Sequence, residues 1–171
     1  MKINEATMIA RQAFEYTEAG RDEEAIQLYR KSLSMADSHE SDLWQIHGEF
    51  ASALERIGDL AGSREQLEFA LGAALRDARS ADCPAVAVAR YFLGDLLLKL
   101  GEPETALATI EPSFCGTCAE APLRTVQSIA YWQLGEYSAA KDSVRKAVVS
   151  AQSDAQRDSI KERLKYIQHN G

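Results

Sequence analysis

Four glycines divide this chain into similar segments, because the residues around each glycine follow one pattern. A small residue stands seven positions before each glycine, a second stands five positions after it and a third stands twelve positions after it. Large residues occupy the positions four before and nine after. A frame that recurs four times indicates an internal repeat, and no other feature constrains the fold as strongly. The four glycines are Gly20, Gly58, Gly101 and Gly135.

The pattern is typical of a repeat made of two helices. A glycine just past the end of a helix adopts the left-handed conformation that closes the helix. Small residues on both sides of the turn let two helix backbones approach closely, while the large residues pack between them. Each segment therefore predicts two antiparallel helices joined at the glycine.

These residues resemble those of the tetratricopeptide repeat (TPR) family. Residues 135–140 (GEYSAA) are close to the turn pattern of that family, and residues 130–134 (AYWQL) also fit it. Residues 20–25 and 93–106 fit almost as well. The second repeat departs from the pattern with Ser63 at the usual alanine. The resemblance covers residues 6–152 and implies a right-handed α-solenoid, a fold that hosts many functions.

We therefore predict an all-α chain with a single solenoid domain over residues 1–171. Four TPR-like helix pairs are expected at residues 5–38, 41–80, 83–118 and 121–152, followed by a C-terminal capping helix at 154–168. The last helix places Ile160, Leu164 and Ile167 at helical spacing and carries charges on its other faces, as a terminal repeat requires. Ser153 is expected to cap its start.

Composition argues against several classes of partner. The net charge is −7 and there is no basic stripe, so binding to nucleic acid or to an anionic membrane surface is not expected. No apolar run approaches the ~20 residues of a membrane span. The first five residues lack the apolar core of a signal peptide. These features predict a cytoplasmic protein, with no cofactor.

A Cys-x-x-Cys pair, Cys115 and Cys118, lies beside Pro112, which is expected to stop or kink the preceding helix near Glu111. Such a pair occurs in redox dithiols and in zinc sites. The sequence offers neither a βαβ context nor a second ligand pair. We predict reduced thiols without metal, and a reversible disulfide and a metal site are the alternatives.

We identify no catalytic constellation, and we predict that the protein is not an enzyme. The histidines have no serine or cysteine partner at a spacing that implies a catalytic set. No glycine-rich phosphate loop is present. The many carboxylates lie on amphipathic helices, where they usually form the solvated face.

The expected binding surface is the concave side, which the first helix of each pair lines in TPR arrays. Counting back from each glycine by three, six, ten and thirteen residues gives one helical stripe. It carries apolar groups predicted to be partly exposed anchors for a partner, and two carboxylates predicted to favour cationic partner side chains. The apolar groups are Phe14, Tyr91, Leu98, Ile129 and Trp132, and the carboxylates are Glu55 and Asp95. The alternative is that these apolar groups pack under the last helix or against a neighbouring chain.

The sequence therefore predicts a non-enzymatic adaptor or scaffold, such as a peptide regulator or secretion-type chaperone, that holds a protein or peptide in its concave groove. The two-carboxylate clamp of heat-shock co-chaperones needs Lys, Asn and Arg on this stripe, where the chain has Ala10, Phe14, Gly48 and Ser52. The clamp is therefore absent. The alternatives are a homodimerising assembly module and a thiol redox or metal-responsive protein using Cys115 and Cys118.

Overall fold

The computed structural model describes residues 5–36, 43–78, 83–114 and 119–169. Over these residues the regular structure is entirely helical, with no strand. A 3₁₀ turn, Glu111–Ser113, follows the sixth helix. The helices are α1 (Glu5–Glu18), α2 (Asp22–Met35), α3 (Leu43–Arg56), α4 (Leu60–Asp77), α5 (Pro84–Lys99), α6 (Pro103–Ile110), α7 (Glu120–Gln133), α8 (Tyr137–Val149) and α9 (Asp154–His169).

The chain forms two compact units, Met1–Asp77 and Ala78–Gly171, which we call unit 1 and unit 2. In unit 1, α1 packs on α2 and α3, α2 packs on α3, and α3 packs on α4. In unit 2, α5 packs on α6 and α7, α6 packs on α7, and α7 packs on α8. Helix α9 packs on both α7 and α8, so it is an integral part of unit 2.

The turn at Gly135 shows why glycine recurs between the helices of each pair. Its φ is +77°, in the left-handed region that other residues adopt only with strain. The amide of Glu136 donates to the carbonyl of Tyr131 at 2.8 Å, and the amide of Gly135 donates to the carbonyl of Trp132 at 3.1 Å. These two bonds form a Schellman motif, which satisfies carbonyls at the end of α7.

Each of the twelve small residues of the repeat frame is buried, which confirms the predicted close helix contacts. Gly94 is the tightest case. A Cβ atom there would lie 2.9 Å from Cγ2 of Ile110 and 3.1 Å from Cγ1 of Val126. Helix α5 can approach α6 and α7 this closely only because position 94 has no side chain.

Replacing Ser63 by alanine is expected to stabilise unit 1 by about 1 kcal/mol. The Ser63 hydroxyl is buried at an alanine position of the repeat, and no residue of the described segments hydrogen-bonds to it. Ser32 provides a matched control, because its equally buried hydroxyl donates to the carbonyl of Ala6 at 2.8 Å. Ser32→Ala should destabilise unit 1 by a similar amount. Urea unfolding measures both changes in free energy. If both variants were stabilised, or both destabilised, this account would be contradicted.

Two expectations about the ends of helices are confirmed. Helix α6 ends at Ile110, followed by the 3₁₀ turn that contains Pro112, so the helix stops beside the proline, near Glu111. Ser153 caps α9, because its hydroxyl accepts a hydrogen bond from the amide of Gln156 at 3.1 Å.

The predicted apolar face of α9 forms the core at the C-terminal end of unit 2. Ile160, Leu164 and Ile167 are buried against α7 and α8, together with Ala140 and Val144. The charged residues on the other faces of α9 are exposed, among them Lys161, Glu162 and Lys165. The sequence pattern therefore identified both faces of this helix correctly.

A candidate partner-binding surface on unit 2

Five of the seven predicted site residues lie in unit 2, on α5 and α7. Tyr91 and Asp95 are half-buried on α5, and Ile129 and Trp132 are half-buried on α7. Ile129 and Trp132 also pack against the apolar cluster that α9 forms with α7 and α8. All four residues keep part of their side chains exposed, so packing next to the last helix leaves them accessible to a partner.

The expectation for Leu98 is wrong. We predicted a partly exposed apolar group, but only 6% of Leu98 is exposed. The residue lies in the last turn of α5, which packs on both α6 and α7. Its carbonyl also accepts a hydrogen bond from Nε2 of Gln133 at 3.3 Å. Leu98 is therefore a core residue and offers no side chain to a partner.

The ring of Trp132 contacts two other aromatic rings. Its ring centroid lies 4.7 Å from that of Tyr137 and 5.8 Å from that of Tyr166, and both pairs have edge-to-face geometry. Such pairs add to the stability gained from burial alone. Tyr137 is 51% exposed and Tyr166 is 37% exposed, so the group presents apolar surface that is held in place by its own contacts.

Arg163 of α9 connects this group to α5. Its Nη2 donates to Oδ1 of Asp95, and its Nη1 donates to the hydroxyl of Tyr91 at 3.3 Å. Nζ of Lys99 lies 3.1 Å from Oδ2 of Asp95. Burial alone would lower the pKa of Arg163, but the carboxylate of Asp95 and the hydroxyl of Tyr91 outweigh it, so the pKa is raised and the guanidinium stays charged.

The contacts of Asp95 change what this carboxylate can do. We predicted that it would favour a cationic side chain of a partner, but Arg163 and Lys99 of the same chain already occupy both of its oxygens. Only 15% of the Asp95 side chain is exposed. No sequence pattern indicates the pairing with Arg163, because the two residues are 68 positions apart and no local spacing relates them.

We use the name unit-2 surface for five residues that these contacts bring together on α5, α7 and α9. Arg163 and Tyr166 are three positions apart on α9, which places them on one side of that helix. Through them, α9 contacts both α5 and α7. The unit-2 surface consists of Tyr91, Asp95, Trp132, Arg163 and Tyr166.

The remaining predicted residues lie in unit 1 or outside the described segments. Phe14 is 43% exposed on α1, as expected, and Glu55 is half-buried on α3. Cys115 and Cys118 fall in residues 115–118, which lie outside the described residues. In the described segments no group of three or more His, Cys, Asp or Glu side chains could hold a metal ion, and none of the helices there is long and apolar enough to cross a membrane.

Models of the tetratricopeptide repeat match residues 6–39, 87–112 and 122–152. This chain belongs to the tetratricopeptide repeat family. The second repeat, where Ser63 departs from the family pattern, lies outside the matched residues and still forms the helix pair α3–α4. Repeats of this family typically serve as scaffolds for protein interaction, and the predicted fold class is confirmed. No curated protein matches the chain.

Several solved structures share the fold. MamA from Desulfovibrio magneticus RS-1 superimposes with a TM-score of 0.70 at 15% identity, over 98% of this chain and 96% of that chain. BtubC from P. vanneervenii has a TM-score of 0.70 at 17% identity, over 94% and 73%. YrrB, a TPR protein with an unusual peptide-binding site, has a TM-score of 0.58 at 18% identity, over 95% and 84%. At these identities the likeness concerns the fold alone.

Proposed function

We propose that this TPR protein is a non-enzymatic, cytoplasmic adaptor that binds a peptide or a helix of a protein partner on the unit-2 surface. The observation that carries the proposal is the aromatic group around Trp132, which is partly exposed yet fixed by packing. Rigid aromatic side chains of this kind supply much of the binding energy of protein interfaces, because they bury a large area at low entropic cost. The proposal is confined to unit 2, and contributions of Phe14 and Glu55 in unit 1 stay predictions.

The architecture of unit 2 supports a binding role for this surface. Its side chains come from α5, α7 and α9, and α7 packs on both of the other two helices, so the surface forms without a partner present. A preformed surface loses little conformational freedom on binding, which favours affinity. Tyr91, Tyr166 and Trp132 combine apolar rings with polar groups, a combination that is enriched in protein interfaces.

Replacing Trp132 by alanine is expected to weaken peptide binding at least about tenfold. The probe is the tightest peptide selected from a displayed library of random 12-residue peptides on the immobilised full chain. Its affinity for each variant is then measured by fluorescence anisotropy. Tyr91→Ala should have a similar effect, whereas Phe69→Ala, which removes an exposed aromatic ring of unit 1, should not.

Thermal melting of each variant separates lost binding from lost folding. Binding that persists in Trp132→Ala and Tyr91→Ala but is lost in Arg145→Glu would place the site on the exposed side of α8 and contradict the proposal. Light scattering over a dilution series shows whether the chain instead pairs with a second copy. A dimer that dissociates in Trp132→Ala would assign the unit-2 surface to self-assembly.

A further inference from the structure

Arg163 keeps hydrogen-bonding capacity that its own chain does not use. A guanidinium has five N–H donors in a fixed plane. In the described structure Arg163 uses one donor on Asp95 and one on Tyr91, and 39% of its side chain is exposed. The remaining donors can therefore bind an acceptor that arrives from solvent.

Asp95, unlike Arg163, is already paired at both of its polar atoms. Cations of its own chain contact both of its carboxylate oxygens, and the side chain is largely covered. A cationic side chain from a partner would have to displace Arg163, which is held beside Asp95 by the packing of α9. An anionic side chain would instead extend the existing contacts, from Asp95 through Arg163 to the partner.

The position of Arg163 strengthens its interaction with an anion. The side chain bonds to Tyr91 on one side, and Tyr166, three positions further along α9, contacts the ring of Trp132. Apolar side chains of a bound partner would exclude water from Arg163, and a charged hydrogen bond gains strength where water is excluded. Helix α9 is anchored by Leu164 and Ile167, both fully buried, so the guanidinium is held on a rigid element. The neighbouring charges Glu162 and Lys165 pair with each other.

We infer that the partner segment carries an internal Asp or Glu side chain flanked by apolar side chains, and that Arg163 binds this carboxylate while Trp132 and Tyr166 contact the apolar flanks. This inference rests on the proposed function and names the chemistry of the partner. Arg163 is the residue that determines specificity. The surface thus selects an anionic side chain of the partner, whereas Asp95 alone would favour a cationic one.

The test uses peptides with an amidated C-terminus, so that the terminal carboxylate cannot contribute. Peptides selected from the 12-residue library on the full chain should be enriched in Asp or Glu between apolar residues. Changing that acidic residue to Gln or Asn should weaken binding at least about tenfold, since charged hydrogen bonds are the stronger class. Arg163→Gln should weaken binding of the acidic peptide by a similar factor, and this variant should bind the acidic peptide and its amide counterpart equally.

Two further variants isolate the role of the guanidinium. Arg157→Gln removes the same charge from α9, where Arg157 pairs locally with Asp154, and should bind both peptides as the unchanged chain does. Arg163→Lys keeps the charge without the planar donor set, so it should restore part of the preference for the acidic peptide. The Gln-for-Glu change in the peptide needs no protein variant, so the test holds even if Arg163→Gln fails to fold.

The outcomes separate this inference from the proposed function. Selected peptides that depend on Trp132 but prefer Lys or Arg, or that keep their acidic preference in Arg163→Gln, would overturn the inference and leave the proposed function standing. An absence of any peptide whose binding depends on Trp132 or Tyr91 would overturn both. An acidic preference that is lost in Arg163→Gln and kept in Arg157→Gln supports both.

Discussion

Replacing Leu164 by alanine is expected to lower the free energy of unfolding of unit 2 by about 2–5 kcal/mol. Leu164 is fully buried in the core that α9 forms with α7 and α8. Its removal leaves a cavity that Ile160 and Ile167 on the same helix cannot fill, because both are already packed. Urea unfolding followed by circular dichroism measures the change.

Lys161→Ala provides the matched control for Leu164→Ala. Lys161 is exposed on the same helix, and its ion pair with Asp158 at 3.7 Å lies at the surface. Surface pairs of this kind contribute little to stability, so this variant should change the unfolding free energy by less than about 0.5 kcal/mol. If Leu164→Ala changed the unfolding free energy as little as Lys161→Ala, the packing of α9 on α7 and α8 would be contradicted.

Tyr29→Ala should destabilise unit 1 by about 3–5 kcal/mol, the range for removal of a buried aromatic side chain. Tyr29 is fully buried, and its ring stacks on that of Phe50 with centroids 5.6 Å apart. The contact joins α2 to α3, so the variant removes both the packing and the stacking that link the first repeat to the second. Burial also raises the pKa of Tyr29, so the hydroxyl stays protonated at neutral pH.

Tyr29→Phe removes only the hydroxyl, so it separates the contribution of the ring to stability from that of the hydroxyl. It keeps the stacking on Phe50 and removes a buried hydroxyl to which no residue of the described segments hydrogen-bonds, so it is expected to leave unit 1 as stable or to stabilise it by about 1 kcal/mol. Chemical unfolding of both variants should show most of the loss only in Tyr29→Ala. Equal losses would mean that the hydroxyl, and not the ring, stabilises this contact.

The repeat frame predicted the helices closely because it depends on local chemistry. The glycine turns, the cap at Ser153 and the stop beside Pro112 are set by residues a few positions apart, and all three predictions are confirmed. The buried stripe of α9 was predicted on the same grounds, since its apolar residues recur at helical spacing.

The surface was predicted less completely, because its contacts join residues distant in sequence. The stripe correctly indicated Tyr91 and Trp132 as partly exposed. It misplaced Leu98, because helical spacing alone does not show that α7 covers the last turn of α5. It also missed Arg163, whose interactions with Asp95 and Tyr91 depend on how α9 packs on α7 and α8. The charge that the surface presents therefore followed only from the three-dimensional structure.

The fluorescence of Trp132 tests most directly whether the unit-2 surface binds a partner. The chain has two tryptophans, so Trp44→Phe leaves Trp132 as the only one. Titration of this variant with the selected peptide should shift the Trp132 emission to the blue and saturate at the dissociation constant measured by anisotropy. In Trp132→Phe the emission of Trp44, which lies in unit 1, should stay constant. Peptide that binds Trp44→Phe with full affinity while the Trp132 emission stays unchanged would contradict the account.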